Sequence, residues 1–494
     1  MLFNSYVFIF IFLPTTLVVF YTLGRLRWAK GAVAALTLAS LFFYGYWNPP
    51  YLILLVGSIV ANYFMGRLLS RPASLNRKVL LGAGITFNLL LIGYYKYAAF
   101  LLGSILPSGL YNSVDSALSL GDIFLPLGIS FFTFQQIAYL VDAYQGQTKD
   151  YGFMDYCLFV SFFPQLIAGP IVHHKEVLPQ FYQPETFQFS HRSLALGLTT
   201  FILGLSKKVL IADNISPWVG TVFSHAADVS FIEAWVGALS YTLQLYFDFS
   251  GYSDMAIGLG LMLNIQLPLN FNSPYKATSI VDFWRRWHIT LSNFLRDYLY
   301  IPLGGSRRGD LRRYGNLMAT MLLGGLWHGA GWTFVLWGGL HGAFLSVNHL
   351  WRKLPIKLPH VLSWGLTFVA VMLSWVLFRA TTLGDASALL GTMAGFNGVV
   401  IPGEAAGKLG VLTKVGIELR SWSDLTYLPV LNGNKLLAML ALIGLVGACA
   451  GLPNTQQIVE RLRPRWYWAM GIGGLSVFCL LSLSRVSEFL YFQF

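Results

Sequence analysis

Charge is what this 494-residue chain has least of: Asp, Glu, Lys and Arg make up 11% of it, against 55% hydrophobic residues. That is about half the charged share of a soluble domain, and it excludes an ordinary water-soluble fold. Cysteine is scarce too. Cys157, Cys449 and Cys479 sit in separate apolar stretches without CxxC spacing, so neither a disulfide framework nor a zinc site follows, and they read as packing residues. GxSxG, Walker A, GxGxxG and HExxH are all absent, which removes the residues of serine-hydrolase, nucleotide-binding and zinc-protease chemistry. No His is followed four or five positions later by Asp or Glu, and no fixed-period repeat supports an inverted-repeat transporter.

What is abundant fits a lipid solvent. Aromatics reach 16%, with 15 Trp and 49 Gly, and mean hydropathy is +0.60. Trp and Tyr mark bilayer interfaces, and Gly lets helices approach closely. The reading is an all-α, polytopic integral membrane protein whose 494 residues form one membrane domain. At roughly 20 residues per span, the length allows on the order of ten to thirteen helices. Apolar runs fall near 4–23, 32–47, 51–66, 79–102, 123–141, 153–171, 193–212, 231–262, 315–349, 361–379, 434–452 and 467–484, and those at 231–262 and 315–349 are too long or too Gly-broken for one simple helix. The first run lacks a basic start and a small-residue cleavage site, so it is expected to stay as a span.

The net charge of +12 would suggest nucleic acid for a soluble protein, but here it reads as membrane orientation, with no nucleic-acid partner. Arg25, Arg27 and Lys30 follow the first run, Asn48-Pro49-Pro50 carries no base, and Arg67, Arg71, Arg77 and Lys78 come next. The 103–122 connection has Asp115 and Asp122 but no Lys or Arg. This alternation puts the basic loops in the cytoplasm and the N-terminus on the other side. Two segments are neither spans nor tight loops: 380–433, a less apolar surface excursion, and 266–313, where eight Lys/Arg and three Asp interleave with aromatics.

His328 lies in Leu326-Trp327-His328-Gly329-Ala330, within an apolar run. An ionisable group at membrane depth is costly and by default a functional candidate. The neighbouring glycines let a backbone or ligand approach the ring; the bland alternative is a packing hydrogen bond. In Phe283-Trp284-Arg285-Arg286-Trp287-His288-Ile289-Thr290-Leu291-Ser292, a helix would align Trp284, His288, Ser292 and Arg296 on one face, with Arg285 and Arg286 reaching phosphates. Simple anchoring to anionic lipid headgroups is the alternative. His341, off the face of His328, reads as structural. In Tyr246-Phe247-Asp248-Phe249-Ser250-Gly251-Tyr252-Ser253-Asp254, Ser250-Gly251 is expected to break the helix and Ser253 or Asp254 to cap the next one. Asp248 is expected to orient a His or line a wet cavity, while Gln135 and Gln136 are explained by interhelical hydrogen bonds. One or two His, a cationic approach and no metal or nucleotide motif suit acyl transfer from a thioester, which needs mainly a base and oxyanion stabilisation.

These stretches, with Arg296-Asp297-Tyr298-Leu299-Tyr300-Ile301-Pro302-Leu303-Gly304-Gly305, Phe162-Phe163-Pro164-Gln165-Leu166-Ile167-Ala168-Gly169-Pro170-Ile171 and Phe132-Thr133-Phe134-Gln135-Gln136, resemble the membrane-bound O-acyltransferase family, specifically its bacterial branch of alginate O-acetylation and teichoic acid D-alanyl transfer. The resemblance covers about residues 1–380 and is specific in 120–345. It implies a ring of tilted helices around a thinned centre with a funnel to each side. N-terminal helices would occupy 1–120, a catalytic core with a re-entrant 266–313 segment 121–350, and C-terminal helices 351–494. The family's invariant histidine falls on His328, as general base or acyl-handling residue, and its second polar position on His288, as orienting or thioester-polarising partner. Trp284, Arg285, Arg286, Ser292, Trp327, Asp248 and Gln135 become donor-binding or tunnel-lining candidates. The implied reaction is acetyl transfer from cytoplasmic acetyl-CoA, with no permanently bound cofactor or metal, toward an exported polysaccharide, with alginate the first expectation. It would take place in a bacterial inner membrane, among membrane lipids, with periplasmic acetyltransferase partners. Peptidoglycan, cellulose, teichoic acid, a lipid or a protein are alternative acceptors, and a non-enzymatic transporter is the rival class.

Overall fold

The computed structural model describes residues 1–71, 76–118, 123–403, 412–413, 416–463, 465–483 and 490. Asp122 and residues 404–411 and 414–415 of the 380–433 excursion lie outside them. The chain forms two compact units, one of 1–205, 252–269 and 459–483, the other of 206–251, 270–458 and 484–494.

In the first unit, α1 (Leu13–Arg25) continues a π turn at Phe8–Phe12, and α2 (Ala29–Gly45) and α3 (Pro49–Ser70) follow. Pro49 and Pro50 begin α3, where a missing N–H costs nothing. The helix α4 (Ile129–Tyr144) starts at Gly128, whose φ of +71° and 2.6 Å gap from a Cβ to the Leu166 carbonyl oxygen require glycine. Gln136 Oε1 accepts from Ser58 Oγ at 2.6 Å and Asn62 Nδ2 at 2.5 Å, the interhelical bonding expected of it. Gln135 is buried, and its Oε1 has no hydrogen-bond partner among the described residues. Arg77 donates to the terminal carbonyls of Ala143 and Tyr144, fastening the basic loop after α3 to the end of α4. The apolar run 153–171 is not one span: the helix Phe153–Ser161 stops, and a short turn, Phe163–Leu166, restarts. Pro164 is the cause, since it lacks the N–H that a continuous helix would need there.

The helix α5 (Phe231–Met262) runs unbroken for 32 residues, giving its first part to the second unit and residues 252–262 to the first. The expected break at Ser250-Gly251 does not occur, and Ser253 and Asp254 lie inside the helix instead of capping one. Residues 241–260 are all buried. A break there would strand backbone N–H and C=O groups away from water, which outweighs the roughly 1 kcal/mol helical penalty of one glycine.

The second unit also holds α6 (Ile289–Leu295), α7 (Asp310–His328) and α8 (Trp332–Trp351), so the 315–349 run is broken as expected, at 329–331. The excursion contributes a helix, Leu383–Met393, and a parallel pair, Val399–Pro402 with Ile417–Arg420. Among the described residues, Phe8–Arg25, Pro49–Ser70, Arg77–Ile105, His191–Phe223 and His360–Arg379 are long and apolar enough to cross a bilayer, and Ala29–Gly45, Lys435–Gly451 and Trp466–Leu481 are shorter apolar helices. The protein is a multi-pass helical membrane protein. Cys157 and Cys479 are buried, Cys449 is partly so, and all three are unpaired thiols.

Candidate active site

Glycine builds the hairpin that carries His328. A Cβ on Gly325 would lie 2.3 Å from the Phe334 carbonyl oxygen, and one on Gly338 would lie 2.2 Å from that of Met321, so α7 and α8 meet backbone to backbone. Gly329, extended at φ −159°, ends α7 and leaves His328 as its last residue. The His328 ring is 4% exposed and packs against Trp327 (4.9 Å between centroids), Trp337 (5.2 Å) and Phe378 (5.2 Å).

His288 arrives differently. The helix Ile280–Trp284 ends before it, and His288 itself sits in the left-handed region at φ +43° as the residue preceding α6. The single helical face of Trp284, His288, Ser292 and Arg296 therefore does not exist. A two-bond clamp holds the turn: Asn272 N–H donates to the Arg286 carbonyl at 2.9 Å, and Ile289 N–H to that of Asn270 at 3.0 Å. A buried non-glycine in this conformation costs about 1–3 kcal/mol and persists where surrounding contacts over-determine it, often at functional sites.

The clamp also fixes the imidazole. Asn270 Oδ1 accepts from Thr290 Oγ1 at 2.9 Å and Thr290 N at 3.4 Å, and lies 3.0 Å from His288 Nδ1. An oxygen there makes Nδ1 the protonated nitrogen, which leaves Nε2 of neutral His288 with its lone pair. His288 is fully buried, and its ring centroid is 6.4 Å from that of His328, with Trp327 against both. The two histidines singled out in the sequence, 40 positions apart, thus share one site. Asn270 was missed; its only signal was a polar residue in Leu269-Asn270-Phe271-Asn272, where the apolar stretch gives way to the charged segment.

The other candidates divide. Trp327 belongs to the pair's immediate wall. Ser292 is half-buried, and its Oγ has no hydrogen-bond partner among the described residues. Trp284 Nε1–H donates to His341 Nδ1 at 3.2 Å, and His341 Nε2–H donates to Ser374 Oγ at 2.9 Å, so His341 is a satisfied structural residue. Arg286 is held by Asp282 at 2.9 Å and the Asn272 carbonyl at 3.3 Å, whereas Arg285 is exposed. Asp248 does not orient a histidine: it pairs with Lys208 at 2.6 Å and accepts from Leu490 N at 3.0 Å, while Lys208 also meets Asp213 at 2.7 Å.

Among the described residues, Asp142, His173 and His174 have metal-ligand chemistry, with Asp142 Oδ2 2.5 Å and 2.9 Å from the two Nε2 atoms. The geometry favours hydrogen bonds over a cation. His173 Nδ1 accepts from Lys175 N at 3.3 Å, which puts its proton on Nε2, facing the carboxylate. The Lys175 ammonium stands 3.9 Å from the same oxygen. His174 is buried, and burial lowers its pKa against the opposing pull of Asp142.

A buried histidine pair in a polytopic helical protein, with one tautomer set by an asparagine, has the components of an intramembrane acid–base centre. The profile of MBOAT, the membrane-bound O-acyltransferase family, matches residues 123–367, which contain both histidines. A peptidoglycan O-acetyltransferase of Helicobacter pylori is 43% identical over 100% of this chain and 98% of its own. A probable alginate O-acetylase of Pseudomonas aeruginosa is 42% identical over 78% of this chain and 73% of its own, and a teichoic acid D-alanyltransferase of Bacillus subtilis is 26% identical over 46% and 60%. The chain belongs to the membrane-bound O-acyltransferase family and is an O-acyltransferase.

Proposed function

We propose that the protein moves an acetyl group from a cytoplasmic thioester, acetyl-CoA, to a hydroxyl of an exported carbohydrate polymer. The observation that carries this reading is the His288–His328 pair, buried at 6.4 Å between ring centroids within the family-matched region. His328 acts as general base: it takes the hydroxyl proton as the oxygen adds to the thioester carbonyl. Collapse of the adduct breaks the C–S bond, and the proton passes to the departing thiolate. His288, neutral and protonated on Nδ1, offers Nε2 as a hydrogen-bond acceptor. It therefore suits orienting the incoming hydroxyl better than polarising the thioester.

The relatives guide the acceptor. The match to a peptidoglycan O-acetyltransferase runs the whole chain, whereas that to the alginate O-acetylase of Pseudomonas aeruginosa leaves about a fifth of it unmatched. Peptidoglycan is therefore the first polymer to assay and alginate the second. The setting is the inner membrane, with the basic loops in the cytoplasm. Mass analysis of cell-wall and secreted glycans, with and without the protein, tests the reading. Loss of O-acetyl groups, restored by the wild type and not by His328→Ala, is the expected result; unchanged acetylation without the protein would refute it.

A further inference from the structure

The first unit contains a cavity of about 1670 Å³ between α1, α2 and the stretches 152–155 and 181–194. It exceeds the ~300–1,000 Å³ of a small-molecule site. One part of its lining is apolar, from Leu17 and Val18 of α1 to Phe187 and Phe189; the other is the cationic turn Arg25, Arg27 and Lys30. None of the three cations has a carboxylate partner among the described residues. Asp155, the acid in the lining, is engaged by Gly152 N at 3.1 Å and Tyr182 Oη at 2.8 Å.

The walls are fixed. A Cβ on Gly24 would stand 2.2 Å from the Phe187 carbonyl oxygen, and Tyr21 Oη donates to the Met262 carbonyl at 2.7 Å. The turn also bears an arginine where glycine is usual. Arg27 N bonds Gly24 O at 2.9 Å and Trp28 N bonds Leu23 O at 3.0 Å, a Schellman closure that puts Arg27 at φ +56°. Retaining a long cationic side chain at a position glycine fills with less strain points to a use for that side chain.

We propose that this cavity holds an anionic glycerophospholipid, its phosphate on Arg25, Arg27 and Lys30 and its acyl chains along α1. Free phosphate would leave the apolar wall uncovered, and a two-carbon acyl group would cover little of it. Val18 is 65% exposed on Phe8–Arg25, a helix long and apolar enough to cross a bilayer, so the outer part of that wall suits contact with hydrocarbon. A basic pocket at the membrane surface selects acidic headgroups. The inference is independent of the transfer reaction, and His328→Ala protein should keep its lipid.

The test is lipid retention by the full chain, reconstituted in vesicles of equal phosphatidylglycerol and phosphatidylcholine, re-extracted in detergent and measured by native mass spectrometry. The wild type should retain phosphatidylglycerol about tenfold over phosphatidylcholine, and millimolar inorganic phosphate or acetyl-CoA should not displace it. R25Q/R27Q/K30Q should lose that preference. Because removing these charges can disturb insertion, Ala34→Phe, at a position of α2 that lines the cavity, adds bulk with every charge in place and should lower retention as well. Equal retention of the two lipids by the wild type, or displacement by acetyl-CoA, would overturn the proposal; so would full retention in both variants.

Discussion

At the scale of single residues, acyl transfer turns on His328, His288 and Asn270. His328→Ala should lower acyl transfer by about 100- to 10,000-fold, the usual reach of general acid–base catalysis, while the protein still inserts and elutes as a monodisperse species. Asn270→Ala should cost about tenfold in kcat with little change in donor KM, because it frees the His288 tautomer without touching the donor; steady-state kinetics of both variants check this. The two histidines were legible because an imidazole amid apolar residues is conspicuous, and so was the structural role of His341. Asn270 was not legible: its bond to His288 spans 18 positions and depends on a left-handed turn that no residue pattern announces. The same turn explains why a helical face read through Trp284, His288, Ser292 and Arg296 fails.

At the scale of elements, glycine has two opposite meanings that sequence alone does not separate. In α7 and α8 it permits contact between backbones, and Gly338→Leu should destabilise the hairpin by about 1–3 kcal/mol, since the Met321 carbonyl cannot swing away as a side-chain tip could. A lower midpoint of thermal unfolding, followed by size exclusion, is the expected result. In α5, by contrast, Ser250-Gly251 sits inside the wholly buried 241–260 stretch of the helix and breaks nothing. Local propensity proposes a break there, and the bilayer's demand for paired backbone groups vetoes it. Pro164 is the reverse case, ending a run that hydropathy reads as a span because hydropathy does not count donors.

At the scale of the whole molecule, composition was enough for the class, since low charge and high apolar content leave a helical membrane protein as the reading that satisfies the backbone. What composition hid is a buried cation, Lys208, between Asp213 and Asp248 in the second unit. Lys208→Met should cost about 3–5 kcal/mol by leaving buried carboxylates unpaired, and adding Asp213→Asn and Asp248→Asn should recover much of it, as read from thermal midpoints of the purified proteins. The central claim remains that a thioester is consumed at the buried histidine pair. Purified wild-type and His328→Ala proteins, reconstituted in proteoliposomes with acetyl-CoA carrying a labelled acetyl group and a carbohydrate acceptor, measure it most directly. Acceptor-dependent release of free CoA thiol by the wild type, with label on the acceptor and both abolished in the folded variant, is the result this account predicts; equal turnover by the two proteins would contradict it.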